Sequence, residues 1–473
     1  MKFRKIGITA GAMMLTMSLL AGCAGDTSKA ETPEVKTETD EQKETETGSE
    51  PVEIRMTFRD DGIGADGASY KHMERVGKEL TESNPNIIVN ISPIQASEGD
   101  YFAKIALALQ SPDTAPDVVT EDTFMLPSDV KAGYLHPLTD YLAEWDEWGD
   151  FYESLKEGVK GEDGVVYAVP YNTDTRGLYY NQDIFDAAGI ATPWEPKNWE
   201  DILIASRQIK ENVGGSVVPI WFNSGIATGE ATSMQTYEML LYGTGERLQD
   251  ESGKWIVESQ GILDTLTWID KVYKEQLGPP LSQVLNGQGS NNAARIYMPQ
   301  GNLGIQLDGS WTTGNYKETG ASPWPEYTEK LKITRMPTQN GDFGGTVSLA
   351  GGWGYAIPAN SQHKDEAWEY VKALSSFENL TDRSMLESSM TTRTDIASSE
   401  EYLSIPIMSE MTEFLDTSYF RPKNESYPQV STAIQSMVEA VVTGTAPVDA
   451  MKEYSEAVRR VVGDDNAVAL EYK

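Results

Sequence analysis

Residues 52–58 of the 473-residue chain read Val-Glu-Ile-Arg-Met-Thr-Phe, an alternation of apolar and polar side chains that predicts a β-strand. Apolar residues then recur at helical spacing from Tyr70 to Leu80, and Asn84-Pro85 predicts the end of that helix. The same succession continues with a strand at 87–91, a helix at 101–109 and a strand at 117–120. Strands that alternate with helices predict βαβ units and a mainly parallel sheet, which is the organisation of an α/β fold.

A second region of the same kind begins near Gly177. It contains a predicted strand at residues 217–221, a helix at 231–241 and a strand at 303–307. A chain of 473 residues is too long for one ordinary domain and suits two. The sequence therefore predicts two α/β domains.

The charge and the cysteine content exclude several classes of function. Lys and Arg number 38 against 73 Asp and Glu, which gives a formal net charge of −35. Such a chain is repelled by nucleic acid and by anionic membrane surfaces, so neither is an expected partner. The single Cys excludes a disulfide within the chain and Cys-based zinc sites, and the three scattered His residues form no HExxH motif. We expect no metal site.

The N-terminal segment has the features of a secretory signal. A basic start is followed by an apolar run from Ile6 to Leu20, which is shorter than a bilayer span. The run ends in Leu-Ala-Gly before Cys23, a pattern that resembles the lipobox of bacterial lipoproteins. We therefore expect residues 1–22 to be a signal peptide and Cys23 to carry lipid. Residues 23–51 are almost devoid of apolar side chains, which predicts a disordered acidic tether.

Several residues at the carboxyl ends of the predicted strands could bind a ligand, because ligands of open α/β sheets collect there. These positions combine carboxylates with indoles. They include Asp60, Asp61, Glu121, Trp221, Asp308, Trp311 and Trp353. An indole stacks on the C–H face of a sugar ring and a carboxylate binds hydroxyls, so the mixture favours a neutral polyhydroxylated ligand. For each Trp the alternative is packing in the core or at a hinge.

The loop from Gly62 to Gly67 matches GxGxxG between a predicted strand and a predicted helix, the context of a dinucleotide site. The neighbouring carboxylates of Asp60 and Asp61 would repel a pyrophosphate, and a secreted protein meets little NAD. We interpret the loop as one that lets the backbone approach a cleft or as a flexible connection.

Blocks of sequence along almost the whole chain after residue 51 resemble one known family. Residues 165–172, Val-Val-Tyr-Ala-Val-Pro-Tyr-Asn, and residues 174–181, Asp-Thr-Arg-Gly-Leu-Tyr-Tyr-Asn, are similar to a hallmark of extracellular solute-binding proteins of family 1. These proteins are the maltose-binding-like receptors of carbohydrate ABC importers. Further blocks in matching order are Ala115–Val119, Ala294–Met298, Gly304–Trp311 and Gly351–Gly354.

The resemblance implies a two-lobed periplasmic-binding-protein fold of type II, in which hinge segments join the lobes and the ligand lies between them. Residues 52–172 with 352–400 would form lobe 1, and residues 173–351 with 401–473 would form lobe 2. Tyr171, Trp311 and Trp353 are the implied sugar contacts, with Asn172 and Arg176 beside the first crossover. Arg393 matches a family position that is either ligand-facing or part of a surface ion pair.

The function implied by the resemblance is that of a monomeric, lipid-anchored receptor on the extracytoplasmic face of the membrane of a Gram-positive cell. It would capture a sugar or oligosaccharide and deliver it to an ABC permease, without a cofactor of its own because another subunit hydrolyses ATP. Two alternatives remain open. The same fold could bind a polyamine or a peptide, and a secreted enzyme could act on polysaccharide with two facing carboxylates.

Overall fold

The computed structural model describes residues 50–60 and 67–473. The predicted signal peptide, Cys23 and all but the last two residues of the predicted tether lie outside the described residues. Asp61 and residues 62–66 of the glycine-rich loop lie outside them as well.

The strands form two main sheets and three small ones. In the described part of the chain they are β1 (Val52–Thr57), β2 (Arg59–Asp60), β3 (Ile87–Ile91), β4 (Ile94–Gln95), β5 (Val118–Asp122), β6 (Ala168–Asp174), β7 (Arg176–Asn181), β8 (Val218–Trp221), β9 (Trp255–Glu258), β10 (Leu303–Gly309), β11 (Leu331–Thr334), β12 (Met336–Pro337), β13 (Thr346–Leu349), β14 (Gly351–Ala356), β15 (Ser418–Tyr419) and β16 (Ala467–Ala469).

Helices cover both main sheets. The α-helices are α1 (Ala68–Ser83), α2 (Glu98–Ala108), α3 (Leu126–Lys131), α4 (Thr139–Ala143), α5 (Glu153–Gly158), α6 (Gln182–Ala188), α7 (Trp199–Asn212), α8 (Glu230–Thr232), α9 (Met239–Gly243), α10 (Gln260–Lys274), α11 (Leu281–Val284), α12 (Gly289–Asn292), α13 (Tyr327–Lys330), α14 (Lys364–Ser375), α15 (Phe377–Glu387), α16 (Thr394–Ala397), α17 (Glu400–Leu403), α18 (Met408–Glu413), α19 (Tyr427–Val442) and α20 (Pro447–Val462). The 3-10 turns are Asp146–Asp150, Ile226–Thr228, Ser310–Tyr316, Phe414–Thr417 and Asp464–Asn466, and Ser233–Glu238 and Ala293–Tyr297 are π-helical.

The first main sheet has the order β3-β1-β5-β14-β6, and we call it, with its helices, the first lobe. β1 pairs in parallel with β3 and β5, which confirms the βαβ unit predicted at the start of the chain. β14 runs antiparallel to β5 and β6. The sheet is therefore mixed rather than mainly parallel, because β14 enters it from the second lobe and runs antiparallel to both of its neighbours.

The second main sheet has the order β11-β7-β10-β8, and we call it, with its helices, the second lobe. β10 is parallel to β8 and antiparallel to β7, and β11 is antiparallel to β7. β7 and β10 are buried along their whole length, as central strands are. This sheet is also mixed rather than mainly parallel. The two-lobed α/β fold expected from the sequence is confirmed.

The chain passes between the two sheets at three places. It leaves β6 at Asp174 and enters β7 at Arg176, and it returns through Ala350 between β13 and β14. The third passage follows Phe414, because buried residues from Tyr402 to Phe414 pack in the core of the first lobe. β15 then pairs with β13, and α19 and α20 pack in the core of the second lobe. The lobe boundaries stated from the sequence, including the one at residue 400, stay predictions.

Three strands differ from their predicted ends in a way that matters for the site. β5 extends to Asp122 and β10 extends to Gly309, so Glu121 and Asp308 lie within strands and not after them. Trp353 lies in the middle of β14. The prediction stopped β5 and β10 too early because a charged residue in a sequence is expected to be exposed, whereas both of these carboxylates are buried.

In the part of the chain that the structure describes, no helix is long and apolar enough to cross a membrane.

Candidate functional site

A cleft of about 280 Å³ lies between the two lobes. The first lobe contributes Phe58 after β1, the short strand β2, the start of α1, parts of β5, β6 and β14, and the C-terminal turns of α15. The second lobe contributes Arg295 and the segment that follows β10. The residues that line the cleft are Phe58, Arg59, Asp60, Gly67, Ala68, Ser69, Tyr70, Met73, Thr120, Tyr171, Asn172, Arg295, Trp311, Gly314, Asn315, Thr319, Gly320, Ala321, Trp353, Arg383, Leu386 and Glu387.

Trp353 lies on the first-lobe side of the cleft and is half-buried. Its indole stacks on Phe102, with ring centroids 5.8 Å apart and planes inclined by 19°. Its main-chain N–H donates to Oδ1 of Asn172 at 2.9 Å, so Asn172 ties β14 to β6 at the cleft. One face of the indole is therefore fixed by the core, and the rest of the ring is available to a ligand.

Trp311 lies on the second-lobe side and is 36% exposed. It follows β10 directly, in the 3-10 turn Ser310–Tyr316. The guanidinium carbon of Arg176 is 4.9 Å from the centre of a Trp311 ring, an arrangement that favours a cation–π contact. Arg176 itself is buried, forms an ion pair with Asp174 and donates to the Leu349 carbonyl at 3.2 Å. It supports Trp311 and is not among the residues that line the cleft.

Tyr171 lines the cleft between an aromatic ring and a cation. Its ring stacks on Tyr355 at 4.4 Å, and the guanidinium carbon of Arg383 lies 4.1 Å from the ring centre. Arg383 is bound by both carboxylate oxygens of Glu387 at 3.0 Å, and Ser69 Oγ donates to the same carboxylate at 2.6 Å. The Tyr171 ring is thus held between β14 and α15, and α1 supports α15 through Ser69.

Arg383 and Glu387 were not predicted from the sequence. They lie four residues apart on α15 and face the cleft only because that helix packs against α1. An Arg and a Glu at this spacing are common on any exposed helix, so the sequence carried no signal that distinguishes them.

The remaining predicted carboxylates differ in their placement. Asp60 is buried in β2 and lines the cleft. Asp308 is buried and accepts hydrogen bonds from Gly309 N at 2.8 Å and Gln306 Nε2 at 2.7 Å. Burial raises the pKa of Asp308 to about 6. Burial and the neighbouring Asp129 carboxylate raise the pKa of Glu121 well above its ordinary value. Neither Asp308 nor Glu121 lines the cleft.

Trp221 and Arg393 are not among the lining residues either, and their assignment to the site stays a prediction. Trp221 is buried and packs edge-on against Tyr297 at 5.0 Å, so the core-packing alternative describes it. The Arg393 side chain is 2% exposed and forms ion pairs with Glu147, Asp150 and Asp395. Arg393 therefore forms the ion pairs that the alternative expected. Its guanidinium, at the centre of the cluster, is buried rather than on the surface.

The described residues contain no group of three or more His, Cys, Asp or Glu side chains arranged to hold a metal ion.

Two α/β lobes that are joined by three chain passages and enclose a cleft with an aromatic wall on each side define a two-lobed ligand-binding protein. The comparison with known families agrees with this class. Residues 64–379 match the model of the family described as bacterial extracellular solute-binding protein. The chain belongs to this family.

Among curated relatives, a binding protein of Brucella abortus is 24% identical over 402 residues, which are 84% of this chain and 90% of the relative. The lactose-binding protein of Rhizobium radiobacter is 24% identical over 333 residues, covering 68% of this chain and 72% of the relative. Among solved structures, a solute-binding protein of Thermotoga lettingae bound with α-D-tagatose has a TM-score of 0.75 at 24% identity. The match covers 88% of this chain and 100% of the Thermotoga lettingae chain. At this sequence identity it supports the fold alone.

Proposed function

We propose that the protein captures a sugar or oligosaccharide in the cleft between its lobes and delivers it to the permease of an ABC importer. The observation that carries the proposal is the pair of indoles, Trp353 on the first lobe and Trp311 on the second, each with its outer face turned to a cleft that also holds Asn172, Asn315 and Asp60. Indoles bind the C–H faces of a pyranose or furanose, and amide and carboxylate groups bind its hydroxyls.

The names of relatives support a carbohydrate. Besides the lactose-binding protein, an arabinooligosaccharide-binding protein of Halalkalibacterium halodurans is 22% identical over 270 residues. A melibiose/raffinose/stachyose-binding protein of Bacillus subtilis is 42% identical over 73 residues. These ligands differ in ring number and linkage, so they support the substrate class and not one sugar.

The proposed cycle is a hinge motion. With three chain passages between the lobes, rotation about those segments opens the cleft to solvent, and a ligand that touches both indoles favours the closed form. The permease then receives the closed, loaded protein, and ATP is hydrolysed by another subunit. No chemical step on the sugar is part of this cycle, so we propose a binding protein rather than an enzyme.

The proposal includes a location at the membrane. Cleavage before Cys23 would leave a thiol and an amine to carry acyl chains, and each buried methylene contributes about 0.8 kcal/mol to anchoring. Residues 24–51 would then tether a monomeric protein to the outer face of the membrane. Metabolic labelling with an alkyne palmitate analogue tests the anchor: the wild-type protein takes up label and Cys23→Ser does not.

Thermal unfolding against a panel of ligands tests the function. The panel contains lactose, raffinose, maltose, D-tagatose and ribitol, with spermidine and a peptide mixture as the alternatives. A ligand that binds only the folded protein stabilises it by about 2.7 kcal/mol at a hundredfold excess over its dissociation constant. A shift with one sugar that is recovered intact supports the proposal. A shift with spermidine or peptide alone overturns the ligand class, and cleavage of a sugar overturns the binding-protein assignment.

A further inference from the structure

Lys317 of the second lobe contacts the end of a helix that belongs to the first lobe. It follows the 3-10 turn Ser310–Tyr316, which carries Trp311. Its ammonium group donates to the main-chain oxygens of Met385 and Leu386, the latter at 3.4 Å. Both oxygens belong to the last turn of α15, and the Lys317 side chain is partly buried by the contact.

The chemistry of a helix end makes this contact favourable. The last carbonyl groups of a helix have no partner within the helix, and the aligned peptide dipoles leave a partial negative charge there. At the end of α15, the amides of Ser388 and Ser389 both donate to the Ser384 carbonyl. Lys317 supplies a cationic donor to the next two carbonyls, at Met385 and Leu386. A lysine from the opposite lobe thus takes the place of a capping residue that would normally come from the same helix.

The two surfaces meet closely beside this contact. A Cβ atom added to Gly314 would lie 2.5 Å from the main-chain oxygen of Glu387, which is shorter than any ordinary contact. Only a glycine allows the 3-10 turn of the second lobe to approach the end of α15 at this distance. The close approach of the two lobes therefore depends on the glycine at position 314 as well as on the charge of Lys317.

The same two elements carry residues of the cleft. The second-lobe segment places Trp311, Gly314 and Asn315 at the cleft, and α15 places Arg383 and Glu387 there. An opening rotation that separates the cleft walls would also withdraw Lys317 from α15. The contact and the closed cleft therefore form and break together.

We propose that Lys317 is a positioning residue that stabilises the closed form by capping α15 across the cleft, without touching the ligand. The proposal rests on the hinge motion of the proposed function, but it concerns the closed form itself and can be tested without a sugar. Loss of the ammonium group should reduce the closed population about three- to tenfold, the range for a cation at a helix C-terminus with its hydrogen bonds.

Cross-linking measures this population in the ligand-free protein. In a Cys23→Ser background, Glu318→Cys and Leu386→Cys place two exposed thiols beside the contact, one on each lobe. A short bismaleimide joins them only when the lobes are close, so the initial rate reports the closed population even when it is small. We expect Lys317→Met to react about three- to tenfold more slowly, and Lys317→Arg to keep the original rate because a guanidinium also donates to carbonyls.

Lys332→Met is the matched control, since Lys332 is a half-buried lysine of the same lobe that donates to the Thr328 carbonyl within that lobe. The proposal is overturned if Lys317→Met cross-links as fast as the protein with the native Lys317. It is also overturned if Lys332→Met slows the cross-linking as much as Lys317→Met does. Gly314→Ala provides a second variant should Lys317→Met not fold, and it too should slow the reaction. Adding lactose or raffinose should accelerate the cross-linking only if the protein binds sugar. A missing acceleration therefore counts against the proposed function, whereas the ligand-free rates test Lys317 alone.

Discussion

Trp311 is the residue for which we expect the clearest difference between an effect on ligand affinity and an effect on folding stability. Its ring is 36% exposed at the cleft and is supported from below by Arg176. A ring that is exposed in the free protein contributes little to folding, and its full contact area becomes useful only when a ligand covers it.

We expect Trp311→Ala to weaken binding of the identified sugar by about 1–3 kcal/mol and to change the melting temperature of the free protein only slightly. Titration calorimetry and thermal unfolding measure the two effects. Phe377→Ala is the control, because Phe377 is 42% exposed and lies near the guanidinium of Arg393 outside the cleft. Unchanged affinity in Trp311→Ala would remove this residue from the site.

Arg393 presents the opposite case, a residue predicted to face either a ligand or an ion pair. Its guanidinium donates to both oxygens of Asp395, at 3.1 and 2.8 Å, and to the Ser375 carbonyl at 3.1 Å. It also pairs with Glu147 and Asp150 in the 3-10 turn Asp146–Asp150. These contacts join α14, α16 and that turn.

Arg393→Met should lower the free energy of unfolding by about 2–3 kcal/mol, because three carboxylates lose their shared partner. Their partial exposure keeps the loss below that of a fully buried pair. Urea denaturation measures it, with Arg459→Met, which breaks the exposed pair with Asp464, as the control. Sugar affinity should stay the same, and a large loss of affinity with intact stability would restore Arg393 to the binding site.

At the scale of elements, the end of β10 determines where the Trp311 ring lies. A Cβ atom added to Gly309 would lie 2.1 Å from two carbon atoms of the Trp311 ring. The ring is therefore folded back over the end of the strand, where a glycine leaves the space for it.

Gly309→Ala should displace the indole and weaken sugar binding about as much as Trp311→Ala does, by about 1–3 kcal/mol. Calorimetry of the two single variants and of the double variant measures this, and we expect the effects not to add because both act on one ring. Gly99→Ala is the control, since no atom lies within 4 Å of a Cβ at Gly99. Full additivity would contradict the account of this turn.

The elements themselves were largely predictable, and their contacts were not. The alternation at residues 52–58 and the helical spacing from Tyr70 to Leu80 reappear as β1 and α1, because local periodicity reports which face is buried. The cleft contacts of Arg383 and Glu387 depend on how α15 packs against α1, some 300 residues apart in the chain. Periodicity carries no information about such pairs.

At the scale of the whole molecule, a buried network of charges outside the cleft lining links the two lobes. The Arg421 guanidinium lies 2.9 Å from Asp122 of the first lobe and 3.2 Å from Glu230 of the second. The Tyr427 hydroxyl lies 2.6 Å from both Glu230 and Glu238. Among the described residues, nothing donates a hydrogen bond to Oε2 of Glu238.

This network predicts a pH-dependent stability. Burial, and next the Glu230 carboxylate, raise the pKa of Glu238 from 4.5 to about 8, despite the opposing hydrogen bond of Tyr427 and the charges of Arg421 and Arg176. A carboxyl whose pKa is raised on folding contributes stability below its unfolded pKa, and that contribution is lost as the pH rises from about 4.5 to about 8.

Glu238→Gln keeps the shape of the protonated side chain and cannot ionise. Its free energy of unfolding should exceed that of the wild type by about 2–5 kcal/mol at pH 9, with the difference shrinking as the pH falls toward 4.5. Urea denaturation across this pH range gives both profiles. Glu453→Gln, at an exposed position on α20, serves as the control. Parallel profiles for wild type and Glu238→Gln would show that the carboxyl is ionised in the folded protein at neutral pH.

The central claim is that the cleft binds a sugar between its two aromatic walls, and Trp353 lies on the wall that the core holds most firmly. The most direct test is titration calorimetry of wild type and Trp353→Ala with the sugar that gives the largest thermal shift, followed by recovery of that sugar. We predict one site per chain, an intact sugar, and an affinity about tenfold lower or weaker still in Trp353→Ala. Equal affinity in the two proteins, or cleavage of the sugar, would contradict the account.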